Sequence, residues 1–382
     1  MPPLGAGYRS VVLIVLDGLG IGGHGAVPDT LGHVACLRPL ALPNLAAMGL
    51  GDFSACVPSQ ARSGSSARLI PLSAGKDTLT GHWELAGVVT DLDLRTFPRG
   101  FPPEFMDALK ARLGRGLMGG LPASGTEVIE RLGARHLRTG ELIVYTSADS
   151  VLQIAAHEDV VSAAELYELC LAAREVAAGP WLVGRVIARP FRGSPGGFVR
   201  TGRRDFSLEP PGRTVLEAAE AAGVEVIAVG KVSDVFAGRG VTRSLAAGGN
   251  REVVRTLLDL GPYAAGDGPR RLVFANLNDF DSLYGHRRDA GGFAAALEEF
   301  DRFLPALTPP PGGHGLLTVT ADHGCDPTHP GTDHTREDVP LLISGADWPC
   351  AHLGTLRGLT AVAGLASAAL GLEGFNFWPR KA

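Results

Sequence analysis

The sequence predicts an α/β protein: an open, doubly wound, mostly parallel sheet flanked by helices, interrupted by an inserted α+β unit. Three observations predict it. At 382 residues the chain exceeds what one ordinary hydrophobic core absorbs. Four short apolar runs, VVLIVL (11–16), VEVIAVG (224–230), RLVFANL (271–277) and GLLTVTA (315–321), read as buried parallel strands separated by helix-patterned segments. Residues near 94–206 follow a different pattern, and strand-end aspartates stand on both sides of them.

Taken in order, the first run stops at Asp17, a polar residue at the carboxyl end of a strand. In the insertion, Pro103 to Leu113 and Ala163 to Ala178 read as helices, and LIVYTSADSVLQIAAHE (142–158) passes from apolar to polar. Residues 181–213 then carry seven arginines against two acids, a local excess hidden by the overall net charge of -5. Arg189 and Arg192 read as surface or interdomain pairs. RTVLEAAEAAG is a helix stopped by Gly223 before the second strand, and Lys231 follows that strand. Asp281 comes shortly after the third. In GGFAAALEEFDRFLPAL, Phe293, Leu297, Phe300, Leu304 and Leu307 fall on one apolar stripe that faces a sheet. Asp322 follows the fourth strand. The expected partition is a core of residues 1–93 and 207–382 and a cap of 94–206, with hinges near 92–96 and 204–212.

Composition narrows the function. With 45% apolar and 20% charged residues the chain is globular, and its mild acidity argues against a general nucleic-acid binder. Five cysteines without a CxxC pair argue against a disulfide framework or a zinc ribbon, and for a reducing compartment. The apolar run at 11–16 is too short for a signal peptide or a membrane span. These features imply a cytoplasmic protein that binds no membrane and needs no obligate protein partner.

Ligands of such sheets bind beyond the carboxyl ends of the strands, so Asp17, Lys231, Asp281 and Asp322 are expected to converge. An aspartate after a strand can also be a simple turn former or helix cap. TADHGCDPTHPGTDHTRE (320–337) adds His323 and His334, with His329 as a rival, and NLNDFDSLYGHRRD adds His286. Carboxylates mixed with imidazoles suit Mn²⁺ or Zn²⁺, and six such residues suffice for two ions. In SAGKDTLTGHWE (73–84), Thr78 is open to two readings: a helix N-cap, or a hydroxyl activated by a metal.

These residues resemble the phosphopentomutases of the alkaline phosphatase superfamily. The matching motifs are VVLIVLDGLGIG, DTLGH (29–33), GKDTLTGHWE (75–84), PASGTE (122–127), LIVYTSADSVLQIAAHE, VGRVIARPF (183–191), DFDSLYGHRRD (279–289) and TADHGCDPTHPGTDHTRE. The resemblance implies an alkaline-phosphatase-like core with a cap domain, and an isomerase that exchanges phosphate between C1 and C5 of ribose or 2-deoxyribose. It implies Thr78 as the phosphorylated nucleophile, Asp17, Asp322 and His323 on one Mn²⁺, and Asp281, His286 and His334 on a second. It further implies Asp149 as an active-site acid, Arg185, Arg200 and Lys231 as ligands of the substrate phosphate that is not reacting, and Ser147 as a substrate-binding residue. Glucose 1,6-bisphosphate or a similar sugar bisphosphate would be the primer, and pentose phosphates the small-molecule partners. The alternative is a metal-dependent phosphomonoesterase of the same superfamily. Two departures stand out: a short loop, GGHGAVP (22–28), and Cys325 after DHG, read as packing beside a metal.

Overall fold

A computed structural model of the chain describes residues 7–23, 28–92, 94–147, 149–263 and 268–373. The GGHGAVP loop lies largely outside the described residues. Two compact units are present: Met1–Leu92 with Glu209–Ala382, and Asp93–Leu208.

The larger unit is built on one eight-stranded sheet. Its strands are β1 (Ser10–Leu16), β2 (Ser65–Ile70), β3 (Glu225–Val229), β4 (Arg243–Leu245), β5 (Arg271–Leu277), β6 (Gly315–Thr320), β7 (Val339–Gly345) and β8 (His352–Arg357). Their order is β4-β3-β5-β1-β6-β7-β2-β8. The strands β4, β3, β5, β1 and β6 pair in parallel, β7 runs antiparallel to both its neighbours, and β2 and β8 pair in parallel. β1 and β6 are buried along their whole length and β5 along all but its first residue. Both faces are therefore covered, which is why their sequences are continuous apolar runs rather than alternating ones. Helices Thr30–Leu37, Asn250–Leu260 and Ala290–Leu307 form one packed group, and Val215–Ala221 with Ala361–Leu370 another. The stripe of Phe293, Leu297, Phe300, Leu304 and Leu307 is buried as its spacing predicts.

Register positions the site. Leu16 of β1 lies opposite Leu277 of β5, and Val15 opposite Thr320 of β6, so three neighbouring central strands end together. The residues that follow them, Asp17, Asp281 and Asp322, leave one edge of the sheet.

Three strands give weak sequence signals. β2 begins with two buried serines, β7 contains Pro340, and β8 is interrupted by a register shift between His352 and Thr355. A proline demotes a run to an edge strand in sequence reasoning. Pro340 is tolerated inside this sheet near the start of β7, where its carbonyl accepts the Thr320 hydroxyl at 2.7 Å.

The Asp93–Leu208 unit has its own sheet. Strands Leu117–Pro122, Leu142–Thr146, Val151–His157, Arg185–Arg192 and Val199–Arg200 follow one another in space, with Arg204–Ser207 also paired to Arg185–Arg192. Parallel and antiparallel pairings are mixed. Helices Pro103–Leu113 and Ala163–Val176 bury Phe105, Leu109, Leu166 and Cys170 in one core cluster, and Gly125–Thr139 buries Val128 and Ile129 in another. The TSADS segment, which carries Ser147 and Asp149, joins two buried antiparallel strands.

One expectation about cysteine is corrected. Cys36 and Cys56 form a disulfide, with Cα atoms 5.8 Å apart. Parity and spacing do not reveal it because the partners are 20 residues apart and only the fold brings them within bonding range. Among the described residues no helix is long and apolar enough to cross a membrane.

Candidate metal centre

Asp17 is fully buried, and the Asn276 side-chain amide donates to its Oδ2 at 2.9 Å. The next residue, Gly18, has φ +80° and donates its N–H to Asp322 Oδ1 at 3.1 Å. A Cβ at Gly18 would lie 2.8 Å from the Cys325 Cβ, so this turn accepts only glycine. Beyond β5 the backbone forms a π-helix, Phe280–Gly285, a form frequent at functional sites. It carries the buried Asp281 and delivers His286 at its end.

The rings are oriented by backbone carbonyls. His286 Nδ1 donates to the Thr332 carbonyl at 2.6 Å and His323 Nδ1 to that of Gly324 at 3.1 Å. Each Nε2 is thereby turned toward carboxylates, the geometry that fixes a ligand tautomer. His323 Nε2 lies 3.3 Å from Asp17 Oδ1 and 3.4 Å from Asp322 Oδ2. His286 Nε2 and His334 Nε2 each lie 3.3 Å from a carboxylate oxygen of Asp281. The His323 and His334 rings are 4.1 Å apart, centroid to centroid, which joins the two halves into one cluster.

Ligand-type groups thus converge as Asp17–Asp322–His323, Asp281–His323–His334 and Asp281–His286–Cys325, the atoms of each within 4.8 Å of one another. His329 is in none of them. Asp17 Oδ1, Asp281 Oδ1, Asp322 Oδ2 and His334 Nε2 are buried without a hydrogen bond. Buried carboxylate oxygens lacking donors are costly unless a cation compensates them, so the donor set fits divalent metal ions.

The electrostatics agree. Burial, then Asp322, raises the Asp17 carboxyl above its ordinary value. Burial opposes ionisation of Asp322 and Asp281 too. The His323 and His82 rings nevertheless hold Asp322 down at about 2, and His334 and His286 hold Asp281 well below the carboxylate range. Burial would lower His323, yet Asp322, Asp17 and Asp281 keep its imidazole protonated up to about 10. A divalent cation held by these residues would take the place of that proton. Burial, then Asp281, pushes the Cys325 thiol up, so it packs as a neutral group.

The two readings of Thr78 are separated by its neighbour. Asp77 caps the Thr78–Leu85 helix, accepting from Leu79 N at 3.0 Å and Thr80 N at 3.2 Å in a capping box. The Thr78 hydroxyl is released from capping and lies 3.4 Å from His323 Nε2. The same helix holds the site from behind. His82, fully buried, donates from Nδ1 to the Thr78 carbonyl at 2.9 Å and lies 3.0 Å from Asp322 Oδ2. Glu84, also fully buried, accepts the N–H groups of Leu72, Ser73 and Leu359 at 2.7 to 2.9 Å. GHWE therefore carries positioning groups that sequence reasoning left without a role. Glu337 is another: buried, it accepts from Gly22 N, Thr30 N and the hydroxyls of Thr30 and Thr335.

Gly81 sets how closely this helix approaches. A Cβ there would lie 2.3 Å from the Asp322 carbonyl oxygen, a backbone atom that cannot swing aside. Gly81→Ala is expected to shift Asp322 and cut turnover by about 10²-fold. Metal analysis with an activity assay checks it; wild-type values for both would mean the helix can back away freely.

The remaining predicted residues are placed as follows. Lys231 immediately precedes the short Val232–Val235 helix after β3 and donates to Asn278 Oδ1. In the other unit, Arg185 pairs with Asp149 at 3.2 Å and approaches Asp205 at 3.9 Å. Arg200 and Arg189 lie beside the buried hydroxyl of Tyr145. Arg189 is not a surface residue: it is half-buried and donates to Gln153 Oε1 at 3.1 Å, and burial, then Arg203, lowers its pKa. Arg192 is an exposed partner of Glu158.

Residues 9–373 match the model of the metalloenzyme superfamily. A phosphopentomutase of Caldanaerobacter subterraneus subsp. tengcongensis is 49% identical over 350 residues, 88% of this chain and 87% of the relative. One of Anaeromyxobacter dehalogenans is 49% identical over 361 residues, 91% of this chain and 92% of the relative. Among solved structures, the PH0037 protein of Pyrococcus horikoshii superposes with a TM-score of 0.51 at 18% identity, covering 97% of this chain and all of that one, a likeness of fold.

Proposed function

The chain belongs to the phosphopentomutase family of the metalloenzyme superfamily and is an isomerase with an alkaline-phosphatase-like fold, and on that premise we propose that it interconverts ribose 1-phosphate and ribose 5-phosphate, and their 2-deoxyribose equivalents, through a phosphothreonine at Thr78. The observation that carries this reading is the uncapped Thr78 hydroxyl, 3.4 Å from His323 in a cluster of buried carboxylates and imidazoles. A helix start that presents a hydroxyl there suits a nucleophile better than a cap, because Asp77 already does the capping.

Asp17, Asp322 and His323 would hold one divalent cation and Asp281, His286 and His334 a second, with Mn²⁺ suited to this mixture of oxygen and nitrogen donors. Bound there, the ions would favour the alkoxide of Thr78 and neutralise charge on a phosphoryl group. The chain's own residues do the rest. Arg185, Arg200 and Lys231 are assigned to the substrate phosphate that is not reacting, arginine through its planar fork and lysine as a point charge, and Ser147 to binding the substrate. The C1 hydroxyl oxygen of a pentose 5-phosphate bonds to phosphorus as the bond from phosphorus to Thr78 Oγ1 breaks, and its proton passes to Asp149. The resulting 1,5-bisphosphate reverses in the site. Thr78 Oγ1 then takes the 5-phosphoryl group and the C5 oxygen regains a proton, which leaves pentose 1-phosphate. A sugar bisphosphate such as glucose 1,6-bisphosphate supplies the first phosphoryl group. The cap unit, residues 94–206 as read from the sequence, is assigned to excluding water, without which the phosphothreonine would hydrolyse.

The test is ³¹P NMR of ribose 5-phosphate with the protein, Mn²⁺ and a trace of glucose 1,6-bisphosphate. The expected result is exchange between C5 and C1 phosphate signals with no accumulation of inorganic phosphate. Release of inorganic phosphate as fast as isomerisation would instead identify a phosphomonoesterase.

A further inference from the structure

Thr78 follows one irregular segment, residues 71–77, and His334 lies on another, 326–336, each with several carbonyls outside regular sheet or helix ladders. Cations satisfy those carbonyls. The Arg336 guanidinium donates to the carbonyls of Ser73 at 2.8 Å, Ala74 at 3.0 Å and Gly75 at 3.2 Å, three consecutive groups just before the Thr78 helix. Lys76 reaches the other way: its Nζ donates to the His334 carbonyl at 2.7 Å and pairs with Asp333 Oδ2 at 2.6 Å. Asp333 in turn accepts the His334 N–H through Oδ1 at 2.9 Å. His334 is thus held through its own N–H and its own carbonyl by a network that ends on the residue two before Thr78.

The far side of the same loop is fixed independently. Arg288 donates to the carbonyls of Asp326 at 2.5 Å, Asp333 at 3.4 Å and also Gly331. Its backbone lies at φ 59°, in the left-handed region that a residue with a long side chain seldom adopts. Lys76 and Arg336 close the remaining edge, the one facing the Thr78 segment.

We infer that Lys76 and Arg336 are positioning residues that latch the Thr78 segment to the His334 segment, so that the hydroxyl and the second half of the metal cluster are aligned by one reciprocal contact. The inference rests on the reading of Thr78 as nucleophile and His334 as ligand. Neither cation faces the cluster with its own charge; each acts through a backbone that carries a functional side chain. The latch makes the two events interdependent: whatever seats His334 also seats the loop before Thr78, and the coupling is equal in both directions. Groups that orient a metal ligand typically change metal affinity or activity by about 10 to 100-fold when removed.

Arg336 is exposed and Lys76 half-exposed, so truncation leaves the core intact. The test compares wild type with Arg336→Met, Arg336→Lys, Lys76→Met and the pair Lys76→Met with Asp333→Asn, which leaves no unpaired carboxylate. Three quantities are measured: Mn²⁺ binding by equilibrium dialysis, the rate at which glucose 1,6-bisphosphate phosphorylates Thr78 by intact mass, and the kcat and KM of isomerisation. Arg336→Met and both Lys76 variants are expected to weaken one of two Mn²⁺ sites and slow phosphorylation by about tenfold or more, with KM nearly unchanged. Arg336→Lys should fall between wild type and Arg336→Met, since an ammonium cannot span three carbonyls. Wild-type Mn²⁺ binding and phosphorylation rates in Arg336→Met and in the double variant would overturn the latch. A wild-type protein that never gains phosphate on Thr78 would instead overturn the nucleophile assignment beneath it.

Discussion

Thr78→Ala is expected to abolish isomerisation while leaving the fold and the metal content of the protein intact. The substitution removes one hydroxyl that has no capping duty, because Asp77 accepts the N–H groups of Leu79 and Thr80. Alanine is also the best helix former, so the first turn of Thr78–Leu85 loses nothing by propensity. The buried carboxylates and imidazoles are untouched, and His82 keeps its bond to the backbone carbonyl of residue 78. What disappears is the atom proposed to accept and return the phosphoryl group. Loss of a covalent nucleophile removes the two-step route altogether, and a fall of roughly 10⁴-fold or more in turnover is expected. Thr78→Ser should retain measurable activity, since the hydroxyl survives without the methyl group. Isomerase assays, metal analysis and intact mass before and after sugar bisphosphate check the set. An alanine variant that isomerises near the wild-type rate, or that still gains phosphate at this position, would remove Thr78 from the mechanism.

The parts of this molecule that sequence makes legible are those set by local pattern. β1, β5 and β6 are visible because strands buried on both faces must be apolar throughout, and their ends mark where Asp17, Asp281 and Asp322 emerge. The stripe in Ala290–Leu307 is visible for the corresponding reason on a helix. What the sequence conceals is decided between distant segments. Asn276 orients Asp17 across 259 positions, and Glu337 ties Thr30 across 307. Neither pairing leaves a periodic trace. Asp77 and Thr78 are adjacent and both suit a helix N-cap, so propensity cannot assign the roles that geometry separates. His82 and Glu84 sit in a helix whose other faces pack on the core, where a histidine or a glutamate reads as an ordinary satisfied polar group. Arg189 is similar: one arginine among seven in a basic stretch looks exposed until the strand Arg185–Arg192 turns it beside Tyr145 and Gln153.

Asp281 offers the second large effect, and its sign can be argued separately for the two states of the protein. It is the carboxylate on which His286 and His334 converge, each at 3.3 Å, and they hold it ionised against burial. Asp281→Asn preserves the shape and removes the charge. Without metal, loss of that charge removes the attraction of His286 and His334, which outweighs the repulsion relieved at Asp17. The metal-free variant should therefore be less stable than metal-free wild type at neutral pH. With Mn²⁺ the gap widens. A cation that binds only the folded state stabilises it in proportion to the logarithm of its occupancy, and a neutral amide in place of a carboxylate weakens that binding. Mn²⁺ is expected to raise the melting temperature of wild type by more than that of Asp281→Asn, and the variant should retain one ion where wild type holds two. Charge stabilisation by a bound cation is worth several kcal/mol in a transition state, so turnover should fall by roughly 10³-fold. Thermal melting with and without Mn²⁺, together with equilibrium dialysis, measures both effects. A variant that binds two ions with wild-type affinity would remove Asp281 from the ligand set, and one as stable as wild type without metal would show that His286 and His334 do not depend on its charge.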